Sequence, residues 1–543
     1  MHYLFLLLPV VFLCHCGAPQ PPACHSLPFA SRDPADVVLE NARRNWAILA
    51  DPGKKAQWPA AEQEYNKALG ILFDKLRCGG DDWPSQAAAL GTAISDPSKL
   101  NEDLSKVDAL FPASKVRIRN EARLQRAPGL GIPAVAWTAT SPVGSPRPRF
   151  YPPNGQPRNL SVILDFDTPV PQWHFPMRWR QENYLVDGNS HYLAADWTAP
   201  IDFFWYMCDL DNLRIQNVII PERFAKETGL YFFQPYDPTK IPVVMVHGLV
   251  SSPEAYRDII NDLSAEPWFR ENYQVWLYNY PTGTPWLYSA IKFRQNMQAA
   301  SAYARSKGDD TNLKKMVILS HSMGGLLTRT AITDPGTALY DAHFNTPFSQ
   351  LKVNSDTREL IKQGLLYKPY TDPKRVAFMA VPHRGSPMAN FRGTALISNL
   401  IRLPKTLTIG ILDATAQSLG GSLAGTAESE TIRPPTAISS LSPNSRGFKG
   451  LNKLPLPKDI TFHSIMGDKG QGDTTESSDG VVPYWSSHVT PVASELIVSS
   501  NHSVPNNIEA SDEIRRILLL HLKAEGKLKP GNNPSPRLNR AAR

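Results

Sequence analysis

Ser322 stands inside Ser320-His321-Ser322-Met323-Gly324, directly after the apolar run Met316 to Leu319 and directly before Leu326, Leu327 and Thr330, which recur at helical spacing. Strand, sharp turn and helix in that order hold a hydroxyl on a tight bend, and small flanking residues let strand and helix approach. Ser320, Gly324 and Gly325 supply them, with Ser320 where such turns usually carry Gly. The pattern predicts an exposed nucleophile at the amino end of a helix, where the dipole favours negative charge. A hydroxyl without a neighbouring base is a weak nucleophile, so a histidine and an acid to orient it are required.

His502, in Asn501-His502-Ser503, directly follows the run Glu495 to Ser499 and is the expected base. His488 lies in a polar loop and His463 inside a strand pattern, so both read as structural. For the acid, Asp479 in Ser477-Ser478-Asp479-Gly480-Val481-Val482-Pro483 competes with Asp468 and Asp473, because a carboxylate in a Gly-rich loop is usually a turn former. Asp479 is preferred on its motif context. Attack on a carbonyl creates an oxyanion that needs preorganised N–H donors. The candidates are the backbones of Met323, next after the nucleophile, and of Leu249, in Val244-Met245-Val246-His247-Gly248-Leu249. His383, in Val381-Pro382-His383-Arg384-Gly385-Ser386, reads as a loop histidine with its hydrogen bonds satisfied. No cofactor is implied, and the cysteine spacings match no zinc pattern.

From Ile241 onward, short apolar runs alternate with helical stretches, the signature of a mostly parallel sheet with helices on both faces, an α/β class. The runs are Pro242 to Val246, Gln274 to Tyr280, Lys315 to Leu319, Arg375 to Val381, Asp459 to Met466 and Glu495 to Ser499. Functional groups in such sheets gather at the carboxyl ends of the strands, and each motif above sits at one of those ends.

His247-Gly248, Ser320 to Gly325, Val381 to Ser386, Ser478 to Pro483 and Asn501 to Ser503, in that order, resemble the lipase-like branch of the bacterial α/β-hydrolases over about Tyr231 to Leu522. The resemblance implies the α/β-hydrolase fold and a triad of Ser322, Asp479 and His502. It implies hydrolysis of carboxylic esters, of lipid or other acyl type, through an acyl-enzyme on Ser322. The same triad serves acyltransferases, amidases and thioesterases, and the fold also serves as a silent binding scaffold in the envelope.

Around that unit the chain divides into a leader (1–23), a helical region (31–114), a β-rich accessory region (115–230), the main unit (231–523) and a basic tail (524–543) expected to be disordered. Val38, Ala42, Trp46 and Leu49, then Tyr65, Leu69, Leu72 and Leu76, predict two amphipathic helices packed on the main unit. Phe203, Phe204, Trp205 and Tyr206 read as core. A long insertion, about 387–456, interrupts the strand pattern and predicts a cap with its own helices, with a shorter excursion over 334–372 beside it.

The formal charge of +7 is partly terminal (Lys523, Lys527, Lys529, Arg537, Arg540, Arg543), and no basic stripe interleaves with aromatics, so nucleic acid is not an expected partner. The apolar run Leu4 to Leu13 is too short to span a bilayer and suits a signal peptide, which predicts export. Cys16, after Leu13-Cys14-His15, is a candidate lipidation site that would anchor the chain to a membrane, against simple secretion. An oxidising compartment permits a bridge between Cys24 and Cys78.

Overall fold

A computed structural model describes residues 34–78, 82–94, 107–119, 123–138, 149–208, 228–308, 310–390, 436–470 and 476–528. The leader with Cys16 and Cys24, most of the insertion and the basic tail from residue 529 lie outside the described residues.

The N-terminal part is built from helices α1 (Ala35–Ala50) and α2 (Trp58–Cys78) and strands β1 (Ala93–Ile94), β2 (Ala109–Pro112), β3 (Ile132–Thr138), β4 (Gln156–Asp165) and β5 (Gln172–His174). The strands form one sheet in the order β1-β5-β4-β3-β2. The strand period of two sends alternate side chains to opposite faces. Ala134, Ala136, Leu160 and Val162 therefore share a core with Trp46, Tyr65, Leu69 and Leu72 of the two helices. Val135 and Trp137 face the other way, onto helix α3 (Thr198–Cys208) and the main unit.

This changes two sequence expectations and places a third. No boundary falls at 114/115, because β1 and β2 belong to the accessory sheet and share its core with α1 and α2. The helices pack on that sheet rather than on the main one. The aromatic cluster is core, with Phe203, Phe204 and Trp205 buried, but it lies on a helix wedged between the accessory sheet and the main unit. Cys78, at the end of α2, is disulfide-bonded.

The main unit is a seven-stranded sheet: β6 (Gly229–Phe232), β7 (Ile241–Val246), β8 (Tyr273–Asn279), β9 (Met316–His321), β10 (Pro373–Met379), β11 (Thr461–Asp468) and β12 (Ser494–Ser499). Their order is β6-β8-β7-β9-β10-β11-β12. All neighbours are parallel except β6, which pairs antiparallel with β8, Leu230 opposite Tyr278. The edge strand β6 begins at Gly229, two residues before the expected start of the main unit at 231.

Both faces are covered, which is why the central strands read as continuous apolar runs. Val244, Val246, Ile318 and Phe378 pack under helices α5 (Trp286–Arg305) and α6 (Met323–Ile332). Val243, Met245, Val317 and Leu319 pack against α4 (Arg257–Ser264), α7 (Ile508–Ala524) and α3. The described end of the insertion carries two short helices, Ala437–Ser440 and Arg446–Leu451; Phe448 and Leu451 pack in the core with Trp286 and with Leu339 of the 334–372 excursion. None of the helices among the described residues is long and apolar enough to cross a membrane.

Candidate active site

Ser322 sits between the end of β9 and the start of α6 with φ 52° and ψ −127°. Positive φ in a non-glycine residue costs roughly 1–3 kcal/mol. Burial of Met323, Leu326 and Leu327 behind it contributes about 1.5–3 kcal/mol each, so the packed helix outweighs the strain of the turn. The bend also needs room. A Cβ on Gly324 would lie 2.3 Å from the carbonyl oxygen of Val246, and one on Gly325 would lie 2.1 Å from Val381 Cγ2. The Ser322 N–H is held by Met379 O on β10 at 2.9 Å. Contrary to the sequence expectation of an exposed hydroxyl, Ser322 is only 6% exposed.

His502 follows β12 and reaches back over the carboxyl ends of the strands. Its Nε2 lies 2.8 Å from Ser322 Oγ and its Nδ1 lies 2.6 Å from Asp479 Oδ2. A carboxylate only accepts, so Nδ1 carries the proton and Nε2 is free to accept from the serine hydroxyl. Asp479 is fully buried, and its second oxygen accepts from the N–H groups of Val481 and Val482 at 2.8 and 2.7 Å. Three donors around one carboxylate offset the cost of burying its charge. A Cβ on Gly467 would lie 2.8 Å from Asp479 Cβ, so the glycine on β11 lets the acid loop close over the strand.

Among the described residues, the carboxylate bonded to the His502 ring is that of Asp479. Asp468 ends β11 with its backbone carbonyl bonded to Ser500 N at 2.9 Å, and the Nδ1 proton of His502 goes to Asp479 instead. Asp473 lies outside the described residues. His463 bonds Arg375 and Ser494, and burial together with the Arg375 charge pushes its pKa down to about 4. His488 bonds Glu495 and Tyr484.

His383 departs from the expectation of a satisfied side chain. It is buried edge-on against Phe378, and neither ring nitrogen has a hydrogen-bond partner among the described residues. Burial holds it neutral, well below the usual histidine range.

Of the two candidate oxyanion donors, Met323 is the first residue of α6, where a backbone N–H has no intrahelical acceptor. Leu249 follows β7 in a loop that touches the nucleophile: a Cβ on Gly248 would lie 2.7 Å from Ser322 Cβ and 3.3 Å from its Oγ. That loop is pinned by two residues not singled out in the sequence. Tyr280 donates its hydroxyl proton to His247 O at 2.8 Å and stacks on the His247 ring, and Thr282 Oγ1 accepts from Val250 N at 3.2 Å. Their signal was available, since Tyr280 closes a strand run and Pro281-Thr282 directly follows it, as the other motifs do. The Val381 to Ser386 motif has a similar bracing part: Ser386 Oγ donates to Val481 O at 2.5 Å, in the loop that carries Asp479.

No family model matches the chain, and no curated protein is similar to it in sequence. Solved structures are similar over about half of it. The mature Bacillus licheniformis lipase BlEst2 is 16% identical over 53% of this chain and 97% of its own, with a TM-score of 0.32. The Staphylococcus hyicus lipase is 15% identical over 54% and 98%, also with a TM-score of 0.32. The phosphonate-inhibited esterase B from Lactobacillus rhamnosis is 13% identical over 61% and 98%, with a TM-score of 0.29. Similarity at this level assigns no activity, and the chemistry is read from the side chains of this chain. Among the described residues no cluster of three or more His, Cys, Asp or Glu could hold a metal ion.

Proposed function

We propose that this chain is a serine hydrolase of the α/β-hydrolase type that cleaves carboxylic esters through an acyl-enzyme on Ser322. The observation that carries the reading is the continuous hydrogen-bonded line from Ser322 Oγ through His502 to the buried Asp479, at 2.8 and 2.6 Å. In this mechanism His502 Nε2 takes the hydroxyl proton as Oγ attacks the ester carbonyl. Asp479 holds the imidazole in the accepting tautomer and stabilises the imidazolium that forms. The carbonyl oxygen, now an oxyanion, is met by the N–H groups of Met323 and Leu249. His502 then protonates the leaving alkoxide, and the sequence repeats with water as nucleophile to release the acid.

A series of nitrophenyl esters from acetate to palmitate tests the activity and ranks the acyl chains. Hydrolysis by the wild-type chain and its loss in Ser322→Ala, with unchanged circular dichroism, is the expected result. Comparable turnover in the purified variant would remove Ser322 from the mechanism.

A further inference from the structure

The residue before the nucleophile holds the base by its main chain. His321 ends β9, and its Nε2 lies 2.8 Å from the backbone carbonyl oxygen of His502. A carbonyl only accepts, so the proton of His321 must sit on Nε2 and its Nδ1 must carry a lone pair. That Nδ1 has no hydrogen-bond partner among the described residues, and Gly248 closes over it: a Cβ there would lie 3.1 Å away. The two imidazole rings pack with centroids 5.0 Å apart.

His502 lies past the last sheet pairing, Asp468 with Ser499, and before the helical turn Val504–Asn506. No strand among the described residues pairs with its backbone. We propose that His321 is a positioning residue for the proposed esterase chemistry, its Nε2–H anchoring the His502 carbonyl so that the other imidazole meets Ser322 Oγ at attack distance. Residues 321 and 322 then grip His502 at both ends, one by its backbone and one by its ring. The anchor has to be uncharged to work. A cation here would oppose the imidazolium formed on His502, whereas burial, first, and then the charge of His502 push the His321 pKa down to about 3. The bond to the His502 carbonyl and then Asp479 favour its protonation, and His247 opposes it, without overturning the effect of burial.

The test compares His321→Leu, which fills the site without a donor, with His321→Gln, whose amide can still donate to the same carbonyl. Misplacing a reacting group by about 1 Å can cost roughly 10²-fold. His321→Leu is therefore expected to lower kcat by roughly 10- to 100-fold with KM changed less than about threefold, and His321→Gln to recover most of the loss. The downfield proton resonance of His502 Nδ1, which reports its contact with Asp479 without any turnover, should be kept in His321→Gln and lost or broadened in His321→Leu.

Wild-type kcat and an unchanged resonance in His321→Leu would overturn the proposal. So would equal losses of kcat, KM and thermal stability in both variants, which a merely structural role predicts. Absence of esterase activity in the wild-type chain would remove the proposed function, while the resonance comparison would still decide whether His321 holds His502.

Discussion

Replacing Asp479 by asparagine removes one negative charge and turns one acceptor into a donor, at a site where three hydrogen bonds converge on the carboxylate. Two orientations are open to the amide. With its oxygen on the N–H groups of Val481 and Val482, its NH2 faces His502 Nδ1 and can only donate. His502 must then carry its proton on Nε2, pointing a donor at Ser322 Oγ. With the amide reversed, the two buried N–H groups face a donor, at a cost of about 1–3 kcal/mol each. The first orientation wins, and it leaves the wrong tautomer in place. In a related triad the wrong tautomer lowers turnover about 10⁴-fold.

The stability cost is smaller, about 1.5–3 kcal/mol for the lost charge-assisted bond, within the roughly 5–15 kcal/mol that holds a domain together. Asp479→Asn should therefore fold, bind a nitrophenyl butyrate with near-native KM and turn it over at about 10⁻⁴ of the wild-type rate. Asp468→Asn, assayed beside it, should keep most of its turnover. A crippled Asp468→Asn together with near-native turnover in Asp479→Asn would refute the assignment of the acid.

Gly324→Ala places a methyl group 2.3 and 2.4 Å from the backbone oxygens of Val246 and His247, so β7 and α6 must separate. Overpacking of this kind costs about 1–3 kcal/mol, and a lowered Tm with lost turnover is expected; a variant with native Tm and activity would show that the bend is not tight. Acid should destabilise the fold through its buried histidines. His321 and His521 are pushed down to about 3 and His463 to about 4, in each case mainly by burial. The native state binds fewer protons than the unfolded chain between these values and about 6.5, so stability is complete above that pH and declines below it. At pH 5.5 each histidine costs about 1.4 kcal/mol, roughly 4 kcal/mol together, which Asp202 and Asp262, raised by burial, oppose at lower pH. A urea midpoint that stays constant from pH 7.5 to 5.5 would contradict this. Export through Leu4 to Leu13 predicts a processed N-terminus near Cys16 in protein recovered from its host, and an intact Met1 in the cytosol would exclude it.

The parallel strands were legible because both faces are buried, which turns each into an unbroken apolar run, as in Met316 to Leu319. The elbow at Ser322 was legible because close packing of β9 and α6 demands small residues at fixed positions. The acid was not settled by sequence, since a loop of Asp and Gly residues has no periodicity. The choice lies in two backbone N–H groups that converge only when Val481 and Val482 fold back on Asp479. The accessory boundary failed for a related reason: β1 has two residues and β2 four, too short to show alternation. Burial of Ser322 and the anchoring of His502 by His321 depend on loops meeting across the sheet, which no local pattern records.

The central claim is that Ser322 is activated by His502. Intact mass spectrometry after exposure of the full chain to a fluorophosphonate, followed by peptide mapping, reads that claim without a choice of substrate. One phosphonyl adduct per chain, located on Ser322, absent from Ser322→Ala and formed far more slowly in His502→Ala, is the result expected. No adduct on Ser322 in the folded wild-type chain, or an adduct formed equally fast without the imidazole of His502, would contradict it.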